Sequence, residues 1–114
     1  MVATNPDRTC PVKGGEIPDC GAIIGAVEGA TGVKVRTIVG KPSRTMIKVI
    51  LDDIGTSGRR CAIVGDRLTT DIAMGLKAGL TTVLVLTGVT NNAILQASSI
   101  RPHYVIDNIG KLLD

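Results

Sequence analysis

The sequence predicts an α/β fold with a parallel sheet flanked by helices, and three observations carry that expectation. Two short runs, Cys61-Ala62-Ile63-Val64 and Thr81-Thr82-Val83-Leu84-Val85-Leu86, are dominated by apolar and β-branched residues rather than alternating with charged ones. Strands covered by helices on both faces have this composition. Between the runs lies a helix-like stretch that stops at Gly79, and a strand, helix, strand order with short links implies a right-handed parallel crossover. Finally, the first run ends at Gly65-Asp66, which places an acid at the carboxyl end of a strand. Open α/β sheets bind their ligands along that edge.

Taken in order, the elements are these. Val2-Ala3-Thr4 reads as the end of a strand and Asn5-Pro6-Asp7 as a turn. Cys10 to Pro18 holds two prolines and a Gly-Gly pair and reads as loop. Cys20 to Ala30 is small and apolar, with Asp19 as cap and Gly32 as stop, so a helix is expected. Val33 to Val39 alternates and predicts a short strand. Pro42 is placed to open a helix, where its missing N–H costs nothing; that helix runs through Met46, Ile47, Val49, Ile50 and Ile54 to Gly55. Asp52 and Asp53 fall at its far end, oppose the helix dipole, and suit a solvated pair. Thr56 to Arg60 is loop. After Asp66, Thr69 or Thr70 can cap the next helix, with Asp71 in its first turn and Ile72 and Leu76 on its apolar side. Thr90-Asn91-Asn92 can cap a short helix over Ala93 to Ala97, Ser98 to Pro102 is loop, Tyr104-Val105-Ile106 is a strand, and Asn108 to Leu113 closes with a helical turn.

Composition narrows the function. A chain of 114 residues with 44 % apolar residues suits one globular domain with one core. Phe and Trp are absent, so that core rests on Ile, Val, Leu and Ala. The net charge is +3, without a basic run, and Tyr104 is the sole aromatic. Nucleic-acid binders show a basic stripe, and single-strand binders add stacking aromatics, so no nucleic-acid partner is expected. No apolar run approaches the roughly 20 residues that span a bilayer, and the first residues lack the basic start and apolar core of a signal peptide. The expectation is a cytoplasmic protein without a membrane partner. Cys10, Cys20 and Cys61 are odd in number and lack zinc-ligand spacing. A reducing compartment keeps them as thiols, and nothing beside them in sequence would depress a thiol pKa. His103, the only histidine, has no acidic or cysteine neighbour and is expected to be packed or at the surface rather than catalytic.

The residues that carry chemistry are Lys41, Asp66 and Asp71. Two carboxylates near one sheet edge suit a hard cation such as magnesium. Lys41 stands at a strand-to-helix junction, Gly40-Lys41-Pro42-Ser43, where an ammonium and backbone donors make a phosphate site. Each residue alone has an ordinary reading: Asp66 as a turn residue, Asp71 as a cap, Lys41 as a solvated side chain. It is their combination that points to a site.

Gly40-Lys41-Pro42-Ser43, Ile63-Val64-Gly65-Asp66-Arg67-Leu68-Thr69-Thr70-Asp71-Ile72, Ala78-Gly79 and Val85-Leu86-Thr87-Gly88-Val89, in that order, resemble the carboxyl-terminal half of the haloacid dehalogenase-like (HAD) hydrolases. The resemblance is to the branch of p-nitrophenyl phosphatase, phosphoglycolate phosphatase and the NagD-type nucleotide phosphatases. Ala3-Thr4-Asn5-Pro6-Asp7 and Pro18-Asp19-Cys20-Gly21-Ala22 look like the late part of that branch's cap domain. The resemblance implies that residues 1–39 are the tail of a cap and its return to the core, and that residues 40–114 are half of a Rossmann-like core. It implies a Mg2+-dependent phosphatase of small phosphorylated metabolites that works through a phospho-aspartyl intermediate. Lys41 would be catalytic and hold the phosphate, Asp66 would bind the metal, and Asp71 would be a catalytic second acid serving the metal site. Cation and lysine would neutralise the transferring group, the main task in phosphoryl transfer.

One departure is large. The family nucleophile lies in an early Asp-x-Asp-Gly segment, and no such segment occurs here. Asp52-Asp53-Ile54-Gly55 is a poor substitute because it ends a helix, and the family's second phosphate-binding Ser or Thr is also missing. Covalent catalysis needs its nucleophile, so the expectation is a truncated form with little or no activity of its own. The alternative is a non-catalytic, self-associating remnant or a phosphate- or metal-binding module. In the family the nucleophile strand lies beside Cys61 to Val64; without it that strand keeps an open edge, which recruits other chains and predicts a homodimer. A flavodoxin-like or receiver-like domain would need an acidic cluster after its first strand, and none is visible.

Overall fold

Parallel pairing of the two apolar runs organises the structure, a computed structural model that describes residues 1–113. β1 (Val2–Ala3), the hairpin β2 (Thr9–Val12) and β3 (Gly15–Pro18), α1 (Cys20–Thr31) and β4 (Thr37–Ile38) come first. α2 (Arg44–Asp53), β5 (Ala62–Gly65), α3 (Ala73–Ala78), β6 (Thr81–Val85), α4 (Asn92–Ala97) and β7 (Tyr104–Ile106) follow. The last three strands form one parallel sheet in the order β5-β6-β7, with Val64 opposite Val83 and Leu84 opposite Val105. β6 is central, and Thr82, Val83 and Leu84 are buried, as a strand covered on both faces must be. Ile47 of α2, Met74 of α3 and Leu80 make one apolar cluster with Cys61 and Ile63; Leu68, Ile72 and Leu84 make a second with Leu95 and Ile100. Burying side chains of this size contributes about 1.5–3 kcal/mol each.

His103 lies at the surface, one of the two placements expected for it, with its ring tied to β6. Its Nδ1 accepts from the Thr82 N–H at 3.1 Å, and its own N–H donates to Thr82 Oγ1 at 3.0 Å. The ring thus extends the β6–β7 joint one residue before β7 begins.

Four local expectations need correction. Cys10 to Pro18 is a hairpin rather than a loop, with Thr9 opposite Pro18 and Val12 opposite Gly15. A two-stranded ribbon is all edge and tolerates its prolines, and Gly14 supplies the left-handed turn position at φ 89°. The strand expected over Val33 to Val39 shrinks to Thr37–Ile38, parallel to β1. Residues 34 and 35 are captured instead by Glu28, which accepts from Lys34 Nζ and the Val35 N–H, both at 2.8 Å. Pro42 precedes α2 without opening it; Ser43 is the cap and accepts from the Thr45 N–H at 3.2 Å. Neither Thr69 nor Thr70 caps a helix, because both lie inside a π-helical turn, Leu68–Ile72, that leads into α3. Elsewhere Asp19 caps α1, Asn91 caps α4 and Asn108 caps the final 3-10 turn.

Candidate active site

Three turns at one rim of the sheet bring the predicted residues together. After β4 the chain tightens through Gly40 to Ser43, closed by the Ser43 N–H on the Gly40 carbonyl at 2.8 Å. Gly40 is buried against the Thr4 carbonyl with no room for a Cβ. The exit from β1 therefore runs directly over the turn that carries Lys41. Asp66 follows β5, where its Oδ2 accepts from the Val89 N–H at 2.7 Å and its carbonyl accepts from the Thr90 N–H at 3.1 Å.

Asp71 is only 5 % exposed and both its oxygens are engaged. Oδ1 accepts from Lys41 Nζ at 2.7 Å, across 30 residues of sequence, and Oδ2 accepts from the Arg67 N–H at 3.2 Å. A buried carboxylate needs such partners to stay charged. Arg67 was the only basic residue beside the two acids in sequence, yet it contributes its backbone, and Lys41 is the ionic partner. Lys41 keeps its side chain 49 % exposed, so the ammonium is anchored on one side and open on the other.

Lys41, Asp66 and Asp71 line one pocket of about 410 Å³, together with Thr4, Asp7 and Thr70. Thr70 Oγ1 is buried and, among the described residues, is the side-chain polar atom left without a hydrogen-bond partner. π-helical turns and orphaned buried groups both concentrate at functional sites. A second hollow of similar size shares Lys41 and Asp71 and follows β5, past Ile63 and Val64, against Ile47 and Ile50 of α2. Asp52 and Asp53 lie outside this pocket, exposed at the end of α2.

Sequence reasoning missed several contributors. Gly65 sits under Asp71 so closely that a Cβ would overlap its carboxylate, and Gly88 does the same to Asp66. Glycines at or shortly after strand ends were the available signal. The fold also alters one cysteine. The Thr4 hydroxyl, 3.3 Å from Cys20 Sγ, and then the Asn5 backbone hold the Cys20 thiol below its ordinary pKa, an effect of a neighbour 16 residues away. All three cysteines are free.

The donor set can be tested against magnesium. Among the described residues Asp66 Oδ1 makes no hydrogen bond, the other carboxylate oxygens of the two acids are engaged, and no group of three His, Cys, Asp or Glu side chains converges. Magnesium is commonly held by one or two carboxylates with waters and substrate phosphate rather than by an all-protein cage. A single open carboxylate oxygen beside an anchored lysine fits that pattern.

The HAD-hydrolase-like family model matches residues 38–112, and the chain belongs to the haloacid dehalogenase-like hydrolases. Within them it is similar to the NagD and p-nitrophenyl phosphatase branch. It is 38 % identical to dihydroxyacetone phosphatase of Corynebacterium glutamicum over its whole length and 41 % of that relative. It is 36 % identical to ribonucleotide monophosphatase NagD of Escherichia coli, over 98 % of this chain and 43 % of NagD. The solved 4-nitrophenylphosphatase of Thermotoga maritima superposes with a TM-score of 0.89 at 43 % identity, over 97 % of this chain and 42 % of that one. The chain thus spans about two fifths of the length of these relatives. No helix among the described residues is long and apolar enough to cross a membrane.

Proposed function

We propose that these 114 residues form the phosphate- and cation-binding half of a Mg2+-dependent phosphatase acting on small phosphorylated metabolites. The observation that carries this reading is the Lys41–Asp71 pair at 2.7 Å in a pocket shared with Asp66. Lys41 binds a phosphate oxygen with its exposed ammonium face. Asp71 holds Lys41 aimed at the pocket and would serve the metal site as a second carboxylate. Asp66 Oδ1 is the cation's carboxylate ligand. When bound, magnesium supplies charge neutralisation on the phosphoryl oxygens.

The covalent step needs an aspartate that these residues do not include, since no Asp-x-Asp-Gly segment occurs among them. On their own they bind the phosphate group and turn over little or no ester. Residues 1–39 are the tail of a cap and residues 40–114 half of the core, a division supported by the family match that starts at residue 38. β5 is paired on one side only, which supports self-association along that edge, and three free thiols suit the cytoplasm.

The test is p-nitrophenyl phosphate turnover with magnesium, run on the 114-residue chain and on a version carrying an Asp-x-Asp-Gly strand from a relative, each with and without Asp66→Ala. Turnover that needs both the added strand and Asp66 is expected. Activity that survives Asp66→Ala would sink the assignment.

A further inference from the structure

The turn after β6 closes onto Asp66. Besides the Val89 N–H on Oδ2 and the Thr90 N–H on the carbonyl, Gly88 packs so tightly that a Cβ there would lie 2.5 Å from Asp66 Cγ and 2.6 Å from its Cβ. Gly88 does not have a positive φ, so glycine is required here for room and not for backbone conformation. The carboxylate is held in one orientation. Oδ2 is committed to the turn, and Oδ1, in a residue that lines the pocket of Lys41 and Asp71, has no hydrogen-bond partner among the described residues.

We propose that Gly88 and Val89 are positioning residues for Asp66: the missing side chain lets the turn close, and the Val89 N–H selects which carboxylate oxygen meets a divalent cation. The choice of ligand rests on the proposed function; the steric coupling does not. Groups that hydrogen-bond a ligating carboxylate tune metal affinity about 10–100-fold.

The test uses Gly88→Ala, Asp66→Gly, the double variant, and Val89→Pro, which removes the N–H and keeps glycine at residue 88. Melting temperature and Mn2+ affinity, read by water-proton relaxation, are measured for each. Gly88→Ala should lower the melting temperature in the wild-type background and cost much less beside Asp66→Gly, which removes the Cβ as well as the carboxylate and so vacates the space for the methyl. Folded Gly88→Ala and Val89→Pro should each bind Mn2+ about tenfold or more weakly than wild type. Additive melting losses, or unchanged Mn2+ affinity in the folded variants, overturn the proposal. Equal Mn2+ binding by wild type and Asp66→Gly would instead remove the cation from Asp66, and the melting cycle would still decide the steric coupling. If Gly88→Ala fails to fold, recovery of a folded double variant supports the coupling and its continued failure overturns it.

Discussion

α1 and β6 are both rich in apolar residues, and they meet opposite fates. The five residues of β6 include three that are buried, whereas none of the twelve residues of α1 is. β6 has a strand on each side and helices over it; α1 meets the small hairpin and the turn before it, through links such as the Gly21 N–H on the Asp7 carbonyl at 2.7 Å. A helix that is apolar nearly all round usually belongs in a core. Here its caps, Asp19 and Gly32, hold it in shape while its side chains stay wet. Apolar content therefore predicts an element, but only the neighbours decide whether its burial stabilises the fold.

The largest expected effect breaks β6. Leu84→Ala should cost about 2–5 kcal/mol, because Leu84 is 0 % exposed. Ile23→Ala in α1, at 63 % exposure, should change stability by no more than about 0.5 kcal/mol. Urea unfolding of the two variants makes the contrast directly, and comparable losses would contradict it. A smaller effect sits at the sheet's far side. His103→Ala leaves the buried Thr82 N–H without its acceptor and should cost about 1–3 kcal/mol; a wild-type midpoint would show that the ring is dispensable.

The smallest effect belongs to the end of α1. Hydrogen bonding from Lys34 and then from the Val35 N–H holds the Glu28 carboxyl below its ordinary range. A depressed folded pKa means that the clasp is fully present above the unfolded glutamate value and is lost as pH falls through the lowered one. Protection of the Val35 amide from hydrogen exchange, corrected for the intrinsic rate, should fall over that acidic window and be absent in Glu28→Ala at all pH. Protection independent of both would break this account of residues 33–36.

Most of the sheet was legible because its signals are local. The runs ending at Val64 and Leu86, the strand at Tyr104 to Ile106, and the caps Asp19 and Asn91 each depend on a few adjacent residues. The misreadings came where a distant group overrides local preference. Glu28 holds Lys34 and Val35 in place of a longer strand, and the β2–β3 ribbon tolerates prolines that punctuate a sequence. At the site, Lys41, Asp66 and Asp71 could be named from their turns, but their partners could not. Nothing adjacent to Asp71 announces Lys41, and nothing adjacent to Asp66 announces Gly88 and Val89.

The sequence by itself determined the strands of the main sheet, their parallel order, and the three side chains that carry chemistry in the turns after strands, since periodicity, caps and turn residues act within a few positions of one another. Tertiary structure alone decided that Lys41 pairs with Asp71, that the turn after β6 closes on Asp66, and that α1 remains exposed. Those outcomes depend on packing and charge between residues far apart in the chain, whose separation in space is set only when the sheet has assembled.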